Sequence, residues 1–249
     1  NRVYPADLAI CADPAEFSEA AALWADDDAL DFDAGAEAHA EWEDWATANP
    51  DRADGDHVEW LIVTSPYEPA WDRETIQAKQ GENDSVASAY GFNECHRLAF
   101  PATGLDTVPI ADIIGQIREV SSKARPELVY VVHGGDVHTD HTIVFTAATS
   151  VMKPMYMTGL GIRRVLSYET LSSTEASPPS AERAFLPNVI ADITPHIEHK
   201  IEVMNLYMTE KHSDPFPRGP GAIRALARVR GATIGVEYAE AFMLLREII

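Results

Sequence analysis

The sequence predicts an α/β fold: a Rossmann-like, mostly parallel sheet with helices on both faces, in three layers. Three observations predict it. Short β-rich apolar runs recur at DLAICA (7–12), HVEWLIVT (57–64) and ELVYVVH (127–133). Helix-compatible stretches separate such runs, with strand and helix alternating about every 30–35 residues. A chain of 249 residues, 46% hydrophobic, can also bury a core of roughly 70–75% of its extended surface.

The elements follow in order. DLAICA is the first strand, and Pro14 opens a helix-compatible run, AEFSEAAALWA. AGAEAHAEWEDWA (34–46) reads as an amphipathic helix whose Trp42 and Trp45, three apart, share a face. HVEWLIVT is a buried strand stopped by Ser65-Pro66. A helix is expected over Ile76–Tyr90 with Gly91 as its cap, then a strand at His96–Phe100. Val108–Ser121 places Ile110, Ile113, Ile114, Ile117 and Val120 at helical spacing. After ELVYVVH come a helix at Thr142–Thr149, a strand at 163–169, a Pro/Ser-rich loop at 172–182 and a short strand at Asn188–Ile193. Pro195–Lys211 reads as a helix with Ile197, Ile201, Met204 and Met208 on one stripe, and 212–221 as irregular. Two helices, Ala222–Arg230 and Val236–Ile248, are expected to close the chain. The methionines of 151–157 and 204–208 read as core filling. One domain over 1–249 accounts for this pattern, with an acidic helical insertion at about 20–56.

Charge narrows the function classes. The formal net charge is -21, and Asp13–Glu59 holds 16 acidic residues against one basic residue, Arg52. Such a field disfavours phosphate backbones and anionic membranes, and the block reads as a solvated surface element. No apolar run approaches the roughly 20 residues of a membrane span. The opening NRVYPADLAI lacks the order of a secretory signal, so a cytoplasmic location is expected. Cys11 and Cys95 make neither a disulfide scaffold nor a CxxC site. There is no GxGxxG or P-loop motif.

Open α/β sheets bind ligands at the carboxyl ends of their strands. Two segments qualify: Asp13–Glu16 after the first strand and Asp136–His141 after VYVVH. His138 and His141, three apart with Asp140 between them, can project near one pocket as the chain enters a helix. Imidazole suits zinc, and a nearby carboxylate can fix its tautomer. The Asp136–His141 pattern reads as a site or, alternatively, as a hydrogen-bonded loop turn; as a site, Asp13, Glu16 and His141 form a chemically reasonable zinc set.

These residues carry a resemblance. The chain is similar to the LmbE-like, PIG-L family of metal-dependent N-deacetylases, through RLAFPATGLDTVP (97–109), HGGDVHTDHTIVF (133–145), SYETLSSTE (167–175), PNVIADI (187–193) and EAFMLLREI (240–248). The family's first strand ends in His-Pro-Asp-Asp-Glu, whose His and second Asp bind zinc and whose first Asp is the general base. A later His-x-Asp-His gives the third ligand and an electrostatic stabiliser. The resemblance therefore implies Zn2+, His141 as ligand, His138 as stabiliser and Asp140 beside them. The first motif departs from the pattern: Asp13-Pro14-Ala15-Glu16 puts Asp13 at the metal His, Glu16 at the ligand Asp and Ala15 at the base. Glu16 in a second role, or a carboxylate from Asp26–Asp33, would have to take the proton. A second alignment sets Trp24-Ala25-Asp26-Asp27-Asp28 on the motif and lacks the metal His. Asp106, Glu169 and Arg218 match segments bordering the pocket, with Lys79 and Glu82 near a family Arg and Glu. The remaining histidines named by the pattern (His39, His57, His96, His196, His199 and His212) are expected to be structural or exposed.

Two functions follow from the resemblance. One is removal of acetyl from an N-acetylglucosamine-type sugar. The other is a family member without turnover, acting as a binding, regulatory or structural subunit. The expected partner is a small N-acetylated sugar conjugate, with self-association or an active paralogue as further partners, and neither nucleic acid nor membrane.

Overall fold

The computed structural model describes the backbone of residues 6–11 and residues 57–249 in full. The acidic block up to residue 56, with Asp13, Ala15, Glu16, the Asp26–Asp28 run and the two expected acidic helices, lies outside the described residues.

The strands are β1 (Ala6–Cys11), β2 (His57–Ser65), β3 (Glu94–Pro101), β4 (Leu128–Val132), β5 (Arg164–Tyr168), β6 (Val189–Asp192) and β7 (Ala239–Glu247). The helices are α1 (Arg73–Ala89), α2 (Ile110–Ala124), α3 (Thr139–Val151), α4 (Pro154–Leu160), α5 (Ile197–Met204) and α6 (Pro220–Ala232). The strands form one sheet in the order β3-β2-β1-β4-β5-β7-β6. The pairs within β1–β5 are parallel, and β7 runs antiparallel between β5 and β6. This is the α/β arrangement read from the sequence.

Burial explains which runs became strands. Val58 to Thr64 is buried throughout β2, as a strand covered on both faces requires. β3 at the sheet edge instead alternates and exposes Glu94 and Arg97. Helix ends obey local chemistry. The Asp72 carboxylate accepts the Thr75 N–H at 2.8 Å at the start of α1, and Gly91 takes a left-handed φ of 66° past its end. Ile113, Ile117 and Val120 form the buried face of α2, each contributing roughly 1.5–3 kcal/mol.

Right-handed crossovers put α1 on one face, and α2 and α3 together on the other. α2 packs against α3 and β1 accordingly. Tyr90, at the end of α1, stacks edge-on with His199 of α5, and α5 packs on α6, so these three share the opposite face.

Three expectations are corrected. Val236–Ile248, read as a helix, is mostly β7. Its Ala, Glu, Met, Leu and Arg favour helix, but pairing with β5 and β6 buries Ala239, Ala241 and Phe242 in the sheet, and tertiary burial overrides propensity. The helix expected to reach Lys211 stops at Met204, leaving Met208 65% exposed. Ile110 opens α2 with its side chain exposed, and Met155 likewise lies outside the core that Met152, Met157 and Met204 help to fill.

Chain order reverses between β1 and β4. β2 and β3 lie on one side of β1, and β4 and β5 continue on the other. Such a switch point opens a crevice at the carboxyl ends of the two strands. The register Ile10↔Val131 brings the chain out of both strands at the same edge.

Candidate active site

After Val132 the chain makes the turn His133-Gly134-Gly135-Asp136-Val137 before α3. The two glycines let this turn pack tightly. A Cβ on Gly134 would lie 2.3 Å from the Phe145 ring, and one on Gly135 would lie 2.2 Å from the Arg183 carbonyl oxygen. Neighbouring loops hold the turn in place: Val137 N–H donates to the Ser173 carbonyl at 3.1 Å, and Ser177 Oγ to the Gly135 carbonyl at 2.6 Å.

His141 sits in the first turn of α3 with no exposed surface. Its Nδ1 lies 2.8 Å from Asp136 Oδ2, and both side chains are fully buried. A carboxylate at that nitrogen holds the proton on Nδ1, so Nε2 carries the lone pair. His138 caps the same helix: its Nδ1 accepts the Asp140 N–H at 3.2 Å. A neutral His138 therefore carries its proton on Nε2. The two rings stack, with centroids 4.7 Å apart and planes 18° apart. One imidazole thus has a lone pair suited to a cation, and its neighbour has an N–H suited to an anion.

The structure brings His138, Asp140 and His141 together, and it gives Asp140 a definite task. The carboxylate accepts the N–H groups of Thr103 (2.7 Å) and Leu105 (3.3 Å). It therefore straps the loop after β3 to α3, and Asp136 is the carboxylate that holds His141. Asp106 lies one residue along that strapped loop, exposed. Arg218 reaches the same rim through Ser172, donating to its Oγ at 3.1 Å and to Glu210 Oε2 at 2.7 Å. Ser172 and Arg218 both hold left-handed φ angles, 76° and 65°. Lys79 also pairs with Glu210. Burial pushes the Glu210 carboxyl up, but Lys79 and Arg218 outweigh it and hold it below its ordinary value. Glu82 accepts from Thr209 N and Oγ1 at 2.9 and 2.7 Å. Glu169, directly after β5, is engaged by Arg230 through two bonds of 2.7 and 2.6 Å.

Sequence reasoning passed over two residues here. Asp136 stood in the inspected segment, but only the turn shows that it, and not the intervening Asp140, meets His141. Glu210 lies 131 residues from Lys79, beyond any local pattern. Asp13 and Glu16 follow β1 in sequence and lie outside the described residues.

Two other charged groups stand apart from this crevice. Lys200 of α5 pairs with Glu240 of β7 in the interior, and burial pushes the Glu240 carboxyl up to about 7 despite that lysine. His57 and His96, expected to be structural or exposed, both meet Glu59 at the amino ends of β2 and β3.

Residues 46–152 match the family described as PIG-L: GlcNAc-PI de-N-acetylase. The match contains the His138–His141 motif and begins after Asp13–Glu16. No protein of curated function matches the chain. Several solved structures share the fold. An N,N'-diacetylchitobiose deacetylase from Pyrococcus horikoshii superposes with a TM-score of 0.66 at 16% identity, over 97% of this chain and 84% of that one. The A40926 pseudoaglycone deacetylase gives 0.62 at 15%, over all of both chains. A 4-carboxy-2-hydroxymuconate hydratase from Pseudomonas putida gives 0.67 at 15%, over 99% and 98%. At these identities the likeness speaks to the fold, and one fold carries both deacetylases and a hydratase. No helix among the described residues is long and apolar enough to cross a membrane. The segment similar to the PIG-L family model, residues 46–152, is the part of the chain that carries β2 through α3 and the paired imidazoles.

Proposed function

We propose that the chain is a metal-dependent N-deacetylase of an N-acetylglucosamine-type sugar conjugate, and that the crevice between β1 and β4 is its active site. The observation that carries this reading is the division of labour between the stacked imidazoles. Asp136 fixes His141 with Nε2 as lone-pair nitrogen, as a zinc ligand requires. The helix cap fixes a neutral His138 with Nε2–H as donor, as oxyanion stabilisation requires.

The donor set fits a borderline cation such as Zn2+. His141 would hold it, with Asp13 and Glu16 as the carboxylates supplied two and five residues beyond β1. When bound, the cation supplies Lewis acidity toward an acyl carbonyl and toward water. The remaining work falls to side chains. Glu16 takes the proton from the attacking water as its oxygen bonds to the acetyl carbon. His138 donates to the oxygen that gains charge. The C–N bond then breaks, the proton passes from Glu16 to the departing amine, and acetate is the second product. Asp140 keeps the strapped loop bearing Asp106 at the mouth. Arg218 and Lys79 give the rim two cations against Glu210, which suits polar groups of the conjugate.

Ala15 favours a second reading, a family member without turnover, because alanine cannot accept a proton where the family keeps an aspartate. Acetate release from N-acetylglucosaminides, measured on the full chain with and without added zinc, separates the two. Zinc-dependent release supports the enzyme. Sugar binding without release supports the non-catalytic subunit.

A further inference from the structure

We propose a second divalent-cation site at the opposite, amino-terminal edge of the sheet, formed by His57 and Glu59 of β2 with Glu94 and His96 of β3. The two strands carry mirrored patterns, His57-Val58-Glu59 and Glu94-Cys95-His96. Alternation points the outer residues of each triplet to one face, and the parallel register Glu59↔Glu94, Leu61↔His96 staggers the triplets by two residues on that face, with Glu59 opposite Glu94. Donor atoms of Glu59, Glu94 and His96 lie within 4.8 Å of one another. His57 Nε2 lies 3.1 Å from Glu59 Oε1, and His96 Nε2 lies 2.6 Å from Glu59 Oε2.

Charge supplies a second argument. Glu59 is 6% exposed, and its partners among the described residues are the two imidazoles. A buried carboxylate is costly without a positive charge beside it. A divalent ion meets this need. It would sit between Glu59 and the rings, and Glu94 Oε1, 3.6 Å from His96 Nδ1, adds a second carboxylate. One imidazole and two carboxylates converge, His57 stands beside Glu59 as a further nitrogen, and such a set suits Zn2+ or Co2+. The ligands stand on paired strands and are thereby preorganised. From Glu59 to Ser65 the strand advances about 20 Å, so this site is separate from the crevice at His141.

The test uses the full chain carrying His141→Ala, which silences the crevice, titrated with Zn2+ against a chromophoric chelator and with Co2+ by visible absorption. One ion per chain should still bind. Adding His57→Ala with His96→Ala should weaken binding by ~100-fold or more, since second-shell losses alone cost 10–100-fold. Glu59→Gln, matched in shape, should do the same while circular dichroism shows the fold retained. The proposal is overturned if the His141→Ala chain takes up no zinc where the parent does, which would leave a plain imidazolium–carboxylate pair. It is equally overturned if the added substitutions leave the affinity unchanged.

Discussion

At its carboxyl edge the sheet sets one imidazole on one carboxylate, Asp136 on His141 at 2.8 Å; at its amino edge it sets two imidazoles on one carboxylate, His57 and His96 on Glu59. The chemical groups are the same, but the scaffolds differ. The first pair stands on a glycine turn and the opening turn of α3, at a chain reversal where loops converge. The second stands on adjacent strands in fixed register. A turn can give each imidazole its own partner, and so divide ligand from donor. A ladder presents its side chains in parallel and so gathers several donors on one point. The first arrangement suits a reaction, in which groups must differ; the second suits holding an ion.

Substitutions at the carboxyl edge should show that division. The largest of the graded effects is expected for His138→Ala, which removes the N–H aimed at the developing oxyanion. Steady-state acetate release should fall by ~10²–10³ in kcat, with zinc affinity nearly unchanged because His141 keeps Asp136. Asp136→Asn should act differently. It leaves His141 in place without its anionic partner, so zinc affinity should drop by ~10–100-fold, read by chelator competition, and activity should recover when zinc is raised. If the two variants gave the same profile, the imidazoles would not have separate roles.

A third buried carboxylate sharpens the contrast. Glu240 has a lysine beside it, yet burial raises its pKa to about 7. The folded chain therefore binds a proton between the ordinary carboxyl value and about 7 that the unfolded chain releases. Stability from this group should be full at low pH and lost as pH rises through that window. Glu240→Gln should remove that slope, worth on the order of 1–3 kcal/mol, in urea unfolding measured at pH 4.5 and 7.5. A wild-type chain with no such slope would mean that Lys200 outweighs burial.

The inner parallel strands were legible in the sequence because β2 and β4 are nearly continuous apolar runs, and α2 was legible because Ile113, Ile117 and Val120 form a clear stripe. β7 was not, since AEAFMLLRE is built from helix formers and becomes a strand only through its two neighbours. At the site, the spacing of His138 and His141 was legible because three residues at a helix start bring side chains to one side. The holder of His141 was not. A turn decides between Asp136 and Asp140, and strict helical spacing favours neither. The amino-edge cluster had a visible signal in HxE and ExH, but nothing local says that β2 and β3 pair in a register that joins them.

The most direct test of the crevice as catalytic centre is acetate release by His141→Ala against the parent chain, both zinc-supplemented and both checked for fold by circular dichroism. The parent should release acetate in a zinc-dependent manner and the variant only at background. Turnover by His141→Ala at the parent's rate would contradict a catalytic role for the crevice.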